Sequence, residues 1–160
     1  MKKYILLLII VNLALTSCEK DDFCVDPVTP NLIIRFYDNT SQTDVKSVER
    51  LSVWAQAKDT LTDYTSVTAD SIAIPLDPIN NQTIYNFKMN NIDGNLANNI
   101  TDQLTITYDI EEVYVSRSCG FKVIFNNVSI TSNNGWVISL TPTNDITINS
   151  ESSAHVQIFH

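Results

Sequence analysis

The sequence predicts an all-β protein built from antiparallel strands. Apolar side chains recur at every second position along most of the chain, as they do in strands that bury one face. Between positions 104 and 111, for example, Leu104, Ile106 and Tyr108 alternate with polar residues. Apolar residues at helical spacing form no long run, so we expect no long helix.

Turn signals between these runs indicate a sandwich of two sheets. The chain has only 3 glycines, so asparagine and aspartate, which tolerate left-handed backbone, are expected to supply most turns. Asn134-Gly135 is the strongest hairpin signal, and Asp93-Gly94 is the next. Many short strands with frequent turns predict an antiparallel β-sandwich, immunoglobulin-like or transthyretin-like, of roughly 7 to 9 strands.

The strands are expected in order from residue 32. The first is the apolar run Leu32 to Tyr37, which follows two turn-forming prolines. In the strand at 136–141, Trp136, Ile138 and Leu140 share a phase and are expected to face the core. Further strands are predicted at 51–58, 71–75, 84–89, 104–111, 113–116, 121–130, 136–141, 146–149 and 154–159.

The first 17 residues are expected to be a lipoprotein signal peptide. Lys2 and Lys3 form a basic start, residues 4–11 an apolar core, and the tetrapeptide Leu-Thr-Ser-Cys a processing site that ends at Cys18. The apolar core is shorter than the roughly 20 residues that span a bilayer. A hydrophobic N-terminal strand is the alternative. We expect Cys18 to carry acyl chains, with membrane lipid as the partner.

This signal divides the chain into a signal peptide at 1–17, a lipidated tether at 18–30 and a single β-sandwich domain at 31–160. In the tether, Lys20, Asp21 and Asp22 resemble the export signal of surface lipoproteins in Bacteroidetes. We therefore expect an outer-membrane protein whose domain faces outward, with the periplasmic face as the alternative.

The formal net charge of −8 narrows the classes of partner. Nucleic acids and anionic membrane surfaces are bound by clustered lysine and arginine, which neutralise phosphates. A chain this acidic is not expected to bind nucleic acid or an anionic membrane surface through its charge.

The 3 cysteines predict one disulfide. With Cys18 acylated, Cys24 and Cys119 remain as an even pair in a compartment where disulfides persist. A bond between them would close a long loop and contribute about 4 to 5 kcal/mol in the chain-entropy account. Two separate thiols are the alternative.

Candidates for catalysis are few. The 2 histidines, His155 and His160, lie at the end of the chain at a spacing that does not suit one face of a strand. We expect a structural role in an edge or final strand, with a Ser-His-Asp arrangement through His155 as the alternative. The segment from Asn91 to Asn95 resembles part of a calcium loop but lacks its later glutamate, so a turn is expected. We assign no catalytic residue, metal or cofactor.

The pair Glu111-Glu112 is expected to mark a bulge or bend. Ile110 and Val113 flank it and cannot share one face of a regular strand, so the alternation changes phase there. Adjacent strand residues point to opposite faces, so the two glutamates do not suit the carboxylate pair of a glycoside hydrolase.

Trp54 and Arg117 are candidate ligand contacts. The alternation that turns Val53 and Ala55 inward turns Trp54 outward, where it could stack on a sugar or contact a protein. Alternatively, another segment covers Trp54, or the phase is inverted. Arg117 could bind an anion or form an ion pair with a carboxylate.

Two short motifs are candidate O-glycosylation sites. Thr60 and Ser71 each follow an aspartate and precede an apolar residue. This order resembles the O-glycosylation sites of Bacteroidetes.

The segment Val113 to Phe121, Val-Tyr-Val-Ser-Arg-Ser-Cys-Gly-Phe, is similar to the signature of a family of uncharacterised Bacteroidetes lipoproteins. The acidic start at 18–24, the run at 32–38 and the closing strand at 154–159 also resemble that family. The family has no established activity, so the resemblance implies location and a single domain but no catalytic residue. It also supports the disulfide, because both cysteines lie in the matched segments.

The leading hypothesis is a lipid-anchored, non-enzymatic module that binds a protein or glycan of the cell envelope. A glycan-active hydrolase that uses scattered carboxylates and a purely structural envelope component are the alternatives.

Overall fold

The computed structural model describes residues 29–92 and 94–160. Ten strands are found there, with two short 3-10 turns at Thr62–Tyr64 and Leu96–Asn98. The strands are β1 (Leu32–Tyr37), β2 (Val48–Ala55), β3 (Val67–Ala69), β4 (Ser71–Ile74), β5 (Gln82–Met89), β6 (Ile100–Ser116), β7 (Gly120–Ser132), β8 (Ser139–Thr141), β9 (Ile146–Ile148) and β10 (Val156–Phe159). No helix in this part of the chain is long and apolar enough to cross a membrane.

The strands form two sheets in a sandwich, which confirms the predicted all-β class. One sheet has the order β4-β1-β10-β8, and the other has the order β3-β2-β5-β6-β7-β9. Neighbouring strands are antiparallel except β1 and β10, which pair in parallel. Parallel pairing of the first and last strands brings the two ends of the described chain into the middle of one sheet.

Alternating residues from both sheets fill the space between them. Phe36 of the four-stranded sheet and Phe87 and Phe125 of the six-stranded sheet are fully buried. Full burial of one such aromatic side chain contributes about 1.5 to 3 kcal/mol. The alternation that predicted the strands therefore marks the residues of the core.

The turn chemistry is mostly as expected, with one different outcome. Four asparagine or aspartate residues adopt left-handed backbone: Asn90, Asn127, Asn134 and Asp145. The turn around Gly94 joins β5 to its hydrogen-bonded neighbour β6, as a hairpin signal should. The Asn134-Gly135 turn does not form a hairpin, because it carries the chain from β7 to β8 in the opposite sheet.

The predicted strand at 136–141 is wrong in its first half. Trp136 and Val137 are consecutive and both buried, whereas Ile138 is 58% exposed. Alternation would have placed Trp136 and Ile138 on one face, but Trp136 precedes the strand and lies in the crossing between sheets. Its expected place in the core is confirmed.

The expected bulge at Glu111-Glu112 is also wrong, because both glutamates pair regularly with β7. The pairing shifts register on either side of them. One shift is at Asn127, which has a φ of 51° and is an extra residue opposite Tyr108, and the other lies between Tyr114 and Ser116. Ile110 and Val113 do lie on opposite faces of one regular strand. Both positions can be apolar because the strand has left the sandwich there.

The protruding part of this hairpin, residues 111–124, is here called the ribbon. β5 pairs with β6 only as far as Thr107, and β9 pairs with β7 only from Phe125 onward. The ribbon therefore consists of two strands with an open edge on each side. Tyr114 and Phe121 pair across it and are 55% and 59% exposed.

Candidate ligand-binding cleft

A row of polar and aromatic side chains crosses the outer face of the six-stranded sheet. Trp54 of β2 is in register with Asn86 of β5, which is in register with Gln103 of β6. The Gln103 side-chain amide donates a hydrogen bond to the Asn86 side-chain oxygen over 3.1 Å. The row therefore presents an indole beside amide groups, all three partly exposed.

A cleft of about 320 Å³ opens at the Trp54 end of this row. The chain beyond β2 turns at Ala57, which has a φ of 60°, and returns so that Thr60 pairs with Trp54. The returning segment forms one wall, and β5 forms the other. The lining residues are Trp54, Lys58, Asp59, Thr60, Lys88 and Asn91.

Trp54 is only partly exposed. The side chain points outward, as the alternation predicted, but it is partly buried. Its neighbour on the outer face, Ser52, is 1% exposed, because its hydroxyl accepts hydrogen bonds from the Ser66 N–H and the Asn91 amide. Trp54 is thus partly buried and lines the cleft.

The cleft is locally basic in an acidic chain. Lys58 and Lys88 line it with one carboxylate, that of Asp59. Across residues 29–92 and 94–160, the ion pair found is between Lys46 and Asp38, at 3.1 Å, so neither cleft lysine has a carboxylate within 4.0 Å there.

Asp38, outside the cleft, is held in its charged form. The hydrogen bond from the Ser41 N–H, followed by that from Lys46, lowers the pKa of Asp38 to about 2.

A second cleft, of about 370 Å³, lies between the end of β2 and the loop from β4 to β5. Its polar groups bind one another. The Tyr85 hydroxyl donates to the Pro75 carbonyl over 2.7 Å, and burial raises the pKa of Tyr85 to about 12. The Tyr108 hydroxyl donates to the Asp77 carbonyl, and the Asp77 N–H donates to the Thr83 hydroxyl. These bonds hold the loop to the sheet.

The one carboxylate of this second cleft, that of Asp77, is directed into its own turn. It accepts hydrogen bonds from the N–H groups of Ile79 and Asn80 and from the Asn80 side chain, the last of which lowers its pKa most. Lys58 adds a smaller lowering of this pKa. The carboxylate is a turn-forming group.

Asp102 is a buried carboxylate that the sequence analysis missed. It is 0% exposed on the inner face of β6 and accepts hydrogen bonds from the Gly135 and Val137 N–H groups and the Ser132 hydroxyl, at 2.7, 3.0 and 2.7 Å. A side chain at Gly135 would lie 2.8 Å from the Thr101 carbonyl oxygen. Asp102 therefore fixes the crossing from β7 to β8. The signal that could have indicated this role is an aspartate two positions before Leu104, because residues two apart on a strand face the same side.

The histidines lie at opposite ends of β10. The Ile33 N–H donates to Nδ1 of His155, and Nε2 of His155 lies 2.9 Å from the Ser150 carbonyl. The His160 ring packs edge-on against Trp136 at 5.4 Å. Burial lowers the pKa of both rings. The His160 N–H also donates to the Tyr37 carbonyl of β1 over 3.1 Å. Each histidine thus contributes to the pairing of β1 and β10.

No group of three or more metal-binding side chains is found within 29–92 and 94–160. In the segment that resembles a calcium loop, Asp93 lies outside the described residues. Asn90 and Ile92 have φ angles of 57°, which is typical of a turn.

Comparison with known proteins gives one match. Residues 50–160, more than half of the chain, match a family described as a family of unknown function, DUF6452. The chain belongs to this family. No curated protein and no solved structure matches the sequence. The coarser part of the predicted resemblance, a family without an established activity, is confirmed.

The DUF6452 match contains the Trp54 cleft and the ribbon, whereas β1 and the predicted lipidation site precede it. In the matched region, Arg117 is exposed at the ribbon tip, and Cys119 lies in the same turn. The cleft lies beside the first part of β6, whereas Arg117 follows the last residue of β6. The two are therefore at opposite ends of this strand. The structure does not bring the two predicted contact residues together.

The remaining predicted site residues fall into two groups. Cys18, Lys20, Asp21, Asp22 and Cys24 lie outside the described residues, so lipidation, export and the disulfide stay predictions. Thr60 and Ser71 are both exposed. The Ser71 hydroxyl donates to the Ile34 carbonyl over 3.1 Å within a paired strand, whereas Thr60 lies in the cleft wall. O-glycosylation of either residue stays a prediction.

Proposed function

We propose that this member of the DUF6452 family is a lipid-anchored, non-enzymatic glycan-binding module of the outer membrane. The observation that carries the proposal is the cleft in which Trp54 lies beside Lys58 and Lys88. The lipobox ending at Cys18 and the Lys20-Asp21-Asp22 segment support the location.

The chemistry of the cleft favours a saccharide. A pyranose ring presents one apolar face, which packs against an indole, and a rim of hydroxyls, which exchange hydrogen bonds with amides. Trp54 supplies the indole, and Asn91, Asn86 and Gln103 supply the amides. The row across the sheet gives space for a chain of sugar units.

The two lysines favour an acidic saccharide. Lys58 and Lys88 outnumber the one carboxylate of the cleft, that of Asp59, and no carboxylate of the described residues forms an ion pair with either lysine. An anionic ligand would therefore meet a net positive charge in the cleft. Polysaccharides that contain uronic acids combine a stacking face with a carboxylate, so they match both features of the cleft.

Binding is tested with oligogalacturonate as the acidic probe and cello-oligosaccharide as the neutral one. We expect the full chain to bind the acidic probe, with a change in tryptophan fluorescence. Trp54→Ala should weaken binding at least about tenfold, which corresponds to about 1.4 kcal/mol. Lys88→Met, which keeps the apolar stem, should remove the preference for the acidic probe. Tyr114→Ser, in the ribbon, is the matched control.

If the unsubstituted chain bound the acidic and the neutral probe equally well, and the Lys88→Met variant did the same, the acidic ligand would be contradicted. Unchanged affinity of the Trp54 variant would contradict the cleft as the site. Protease shaving of intact cells tests the outward orientation, and full protection of the domain would place it on the periplasmic side.

A further inference from the structure

The inner face of the β6–β7 hairpin continues beyond the sandwich and ends in two exposed aromatic residues. Along β6, Tyr108, Ile110, Glu112 and Tyr114 share the face that begins in the core, and Phe121 continues the face of Phe125 on β7. The four-stranded sheet covers this face in the core. It does not cover Tyr114 and Phe121, whose rings meet edge to face at 5.5 Å.

The last part of the ribbon, residues 113–122, contains two basic residues and no acidic one, in a chain of net charge −8. The basic residues are Arg117 and Lys122, whereas Glu111 and Glu112 lie at the base of the ribbon, where it leaves the sandwich. Exposed aromatic rings beside basic side chains are typical of surfaces that lie at the lipid–water boundary. The negative charge elsewhere keeps the rest of the chain away from anionic lipid.

The described chain begins at the same end of the sandwich as the ribbon. The Asn31 N–H, just before β1, donates to the Glu151 carboxylate over 2.7 Å. In the same turn, the Asn149 carbonyl accepts a hydrogen bond from Lys122 of the ribbon over 3.1 Å. The chain that leads from the predicted anchor therefore reaches the domain at the ribbon end.

Chain length then limits how far the tip can lie from the anchor. Asn31 lies thirteen positions after Cys18, and this stretch spans at most about 45 Å when fully extended. The ribbon itself extends about 20 Å beyond the sandwich, from the rise per residue of a strand. With the predicted bond between Cys24 and Cys119, the ribbon tip would be joined to the chain six positions after Cys18, which is a span of about 20 Å.

We propose that the ribbon tip is a membrane-contact surface, in which Tyr114 and Phe121 insert at the headgroup boundary of the bilayer that holds the Cys18 anchor. This inference rests on the proposed lipid anchor and is independent of the proposed glycan. It places the Trp54 cleft away from the lipid, because Gln103 and Tyr114 are eleven residues apart on one strand, or about 36 Å.

The test uses the full, lipidated chain in vesicles of phosphatidylethanolamine and phosphatidylglycerol, with and without brominated acyl chains that quench nearby tryptophan. Tyr114→Trp and Phe121→Trp place a reporter in the ribbon. Ile138→Trp is the matched control, because Ile138 is 58% exposed and its N–H donates to Phe159 at the other end of β10. We expect brominated lipid to remove at least half of the added emission in both ribbon variants and none in the control.

Three outcomes would overturn the proposal. Quenching of the Ile138→Trp variant alone would mean that the other end of the sandwich faces the lipid. If no variant were quenched in chains that float with the vesicles, Tyr114 and Phe121 would face water or residues 19–28 instead of lipid. The proposed lipid anchor would then remain without the membrane contact of the ribbon. A chain that does not float with the vesicles would contradict the anchor as well, so the two failures are distinguishable.

Discussion

The two halves of the β6–β7 hairpin use the same strand pattern to opposite effect. In the half inside the sandwich, the inner face carries Leu104, Ile106 and Phe125, all fully buried, and even an aspartate, Asp102, is 0% exposed. In the ribbon, the same face carries Tyr114 and Phe121, both more than half exposed. The difference shows that alternation selects a face, whereas the opposing sheet decides whether that face is buried.

The largest expected difference between the halves is at two phenylalanines of β7. Phe125→Ala would leave a cavity in the core and should lower the free energy of unfolding by about 3 to 5 kcal/mol. Phe121→Ala, four residues earlier on the same strand and the same face, should lower it by less than about 1 kcal/mol, because the ring is 59% exposed. Urea denaturation of the two variants measures both values. Similar losses would mean that the ribbon is covered in solution.

The second comparison concerns two aspartates of β6. Asp102→Ala would leave the Gly135 and Val137 N–H groups without an acceptor in the interior, which should cost about 2 to 5 kcal/mol. Asp109→Ala removes an exposed hydrogen bond to Asn127 and should change stability by less than about 0.5 kcal/mol. The same denaturation experiment checks this pair. A loss below about 1 kcal/mol for Asp102→Ala would show that water can replace the carboxylate.

The smallest expected effect is the pH dependence from the ends of β10. Because the pKa of His155 and His160 is lowered in the folded state, the unfolded chain takes up protons first as the pH falls below 6.5. Stability should therefore be full above pH 6.5 and decrease as the pH falls below it. His155→Gln should reduce this decrease relative to the unsubstituted chain, as judged from urea midpoints at pH 7.5 and 5.5. Asp38 loses its contribution only between pH 3.8 and about 2, in a separate range.

The strands were predictable because alternation is a local property. The runs from Leu32, through Tyr85 and Phe87, to the final strand correspond to β1, β5 and β10. Two predictions from local sequence failed because the position of the opposing sheet decided the outcome. Asn134-Gly135 has the chemistry of a hairpin turn, but Trp136 and Val137 are buried between the sheets, and the chain crosses there from one sheet to the other. At Glu111-Glu112, an apolar residue on each face indicated a bulge, whereas the strand had left the sandwich.

The candidate cleft was only half predictable. The alternation around Val53 correctly turned Trp54 outward, since one face of β2 packs into the core. Its partners could not be read from the sequence, because Lys88 and Asn91 are more than thirty residues away and reach the cleft through the pairing of β2 with β5. The burial of Ser52 likewise depends on Ser66 and Asn91, which lie more than ten residues away in the sequence.

The sequence by itself determined the class of the fold, the face that each main strand presents to the core, and the expectation of a lipid anchor at Cys18. These features depend on neighbouring residues and on a signal read before the chain folds. Only the tertiary structure decided that Trp54 shares a cleft with two lysines, that Asp102 holds a crossing between sheets, and that Tyr114 and Phe121 remain exposed. Each of these depends on which distant strand lies opposite, and burial is set by that neighbour.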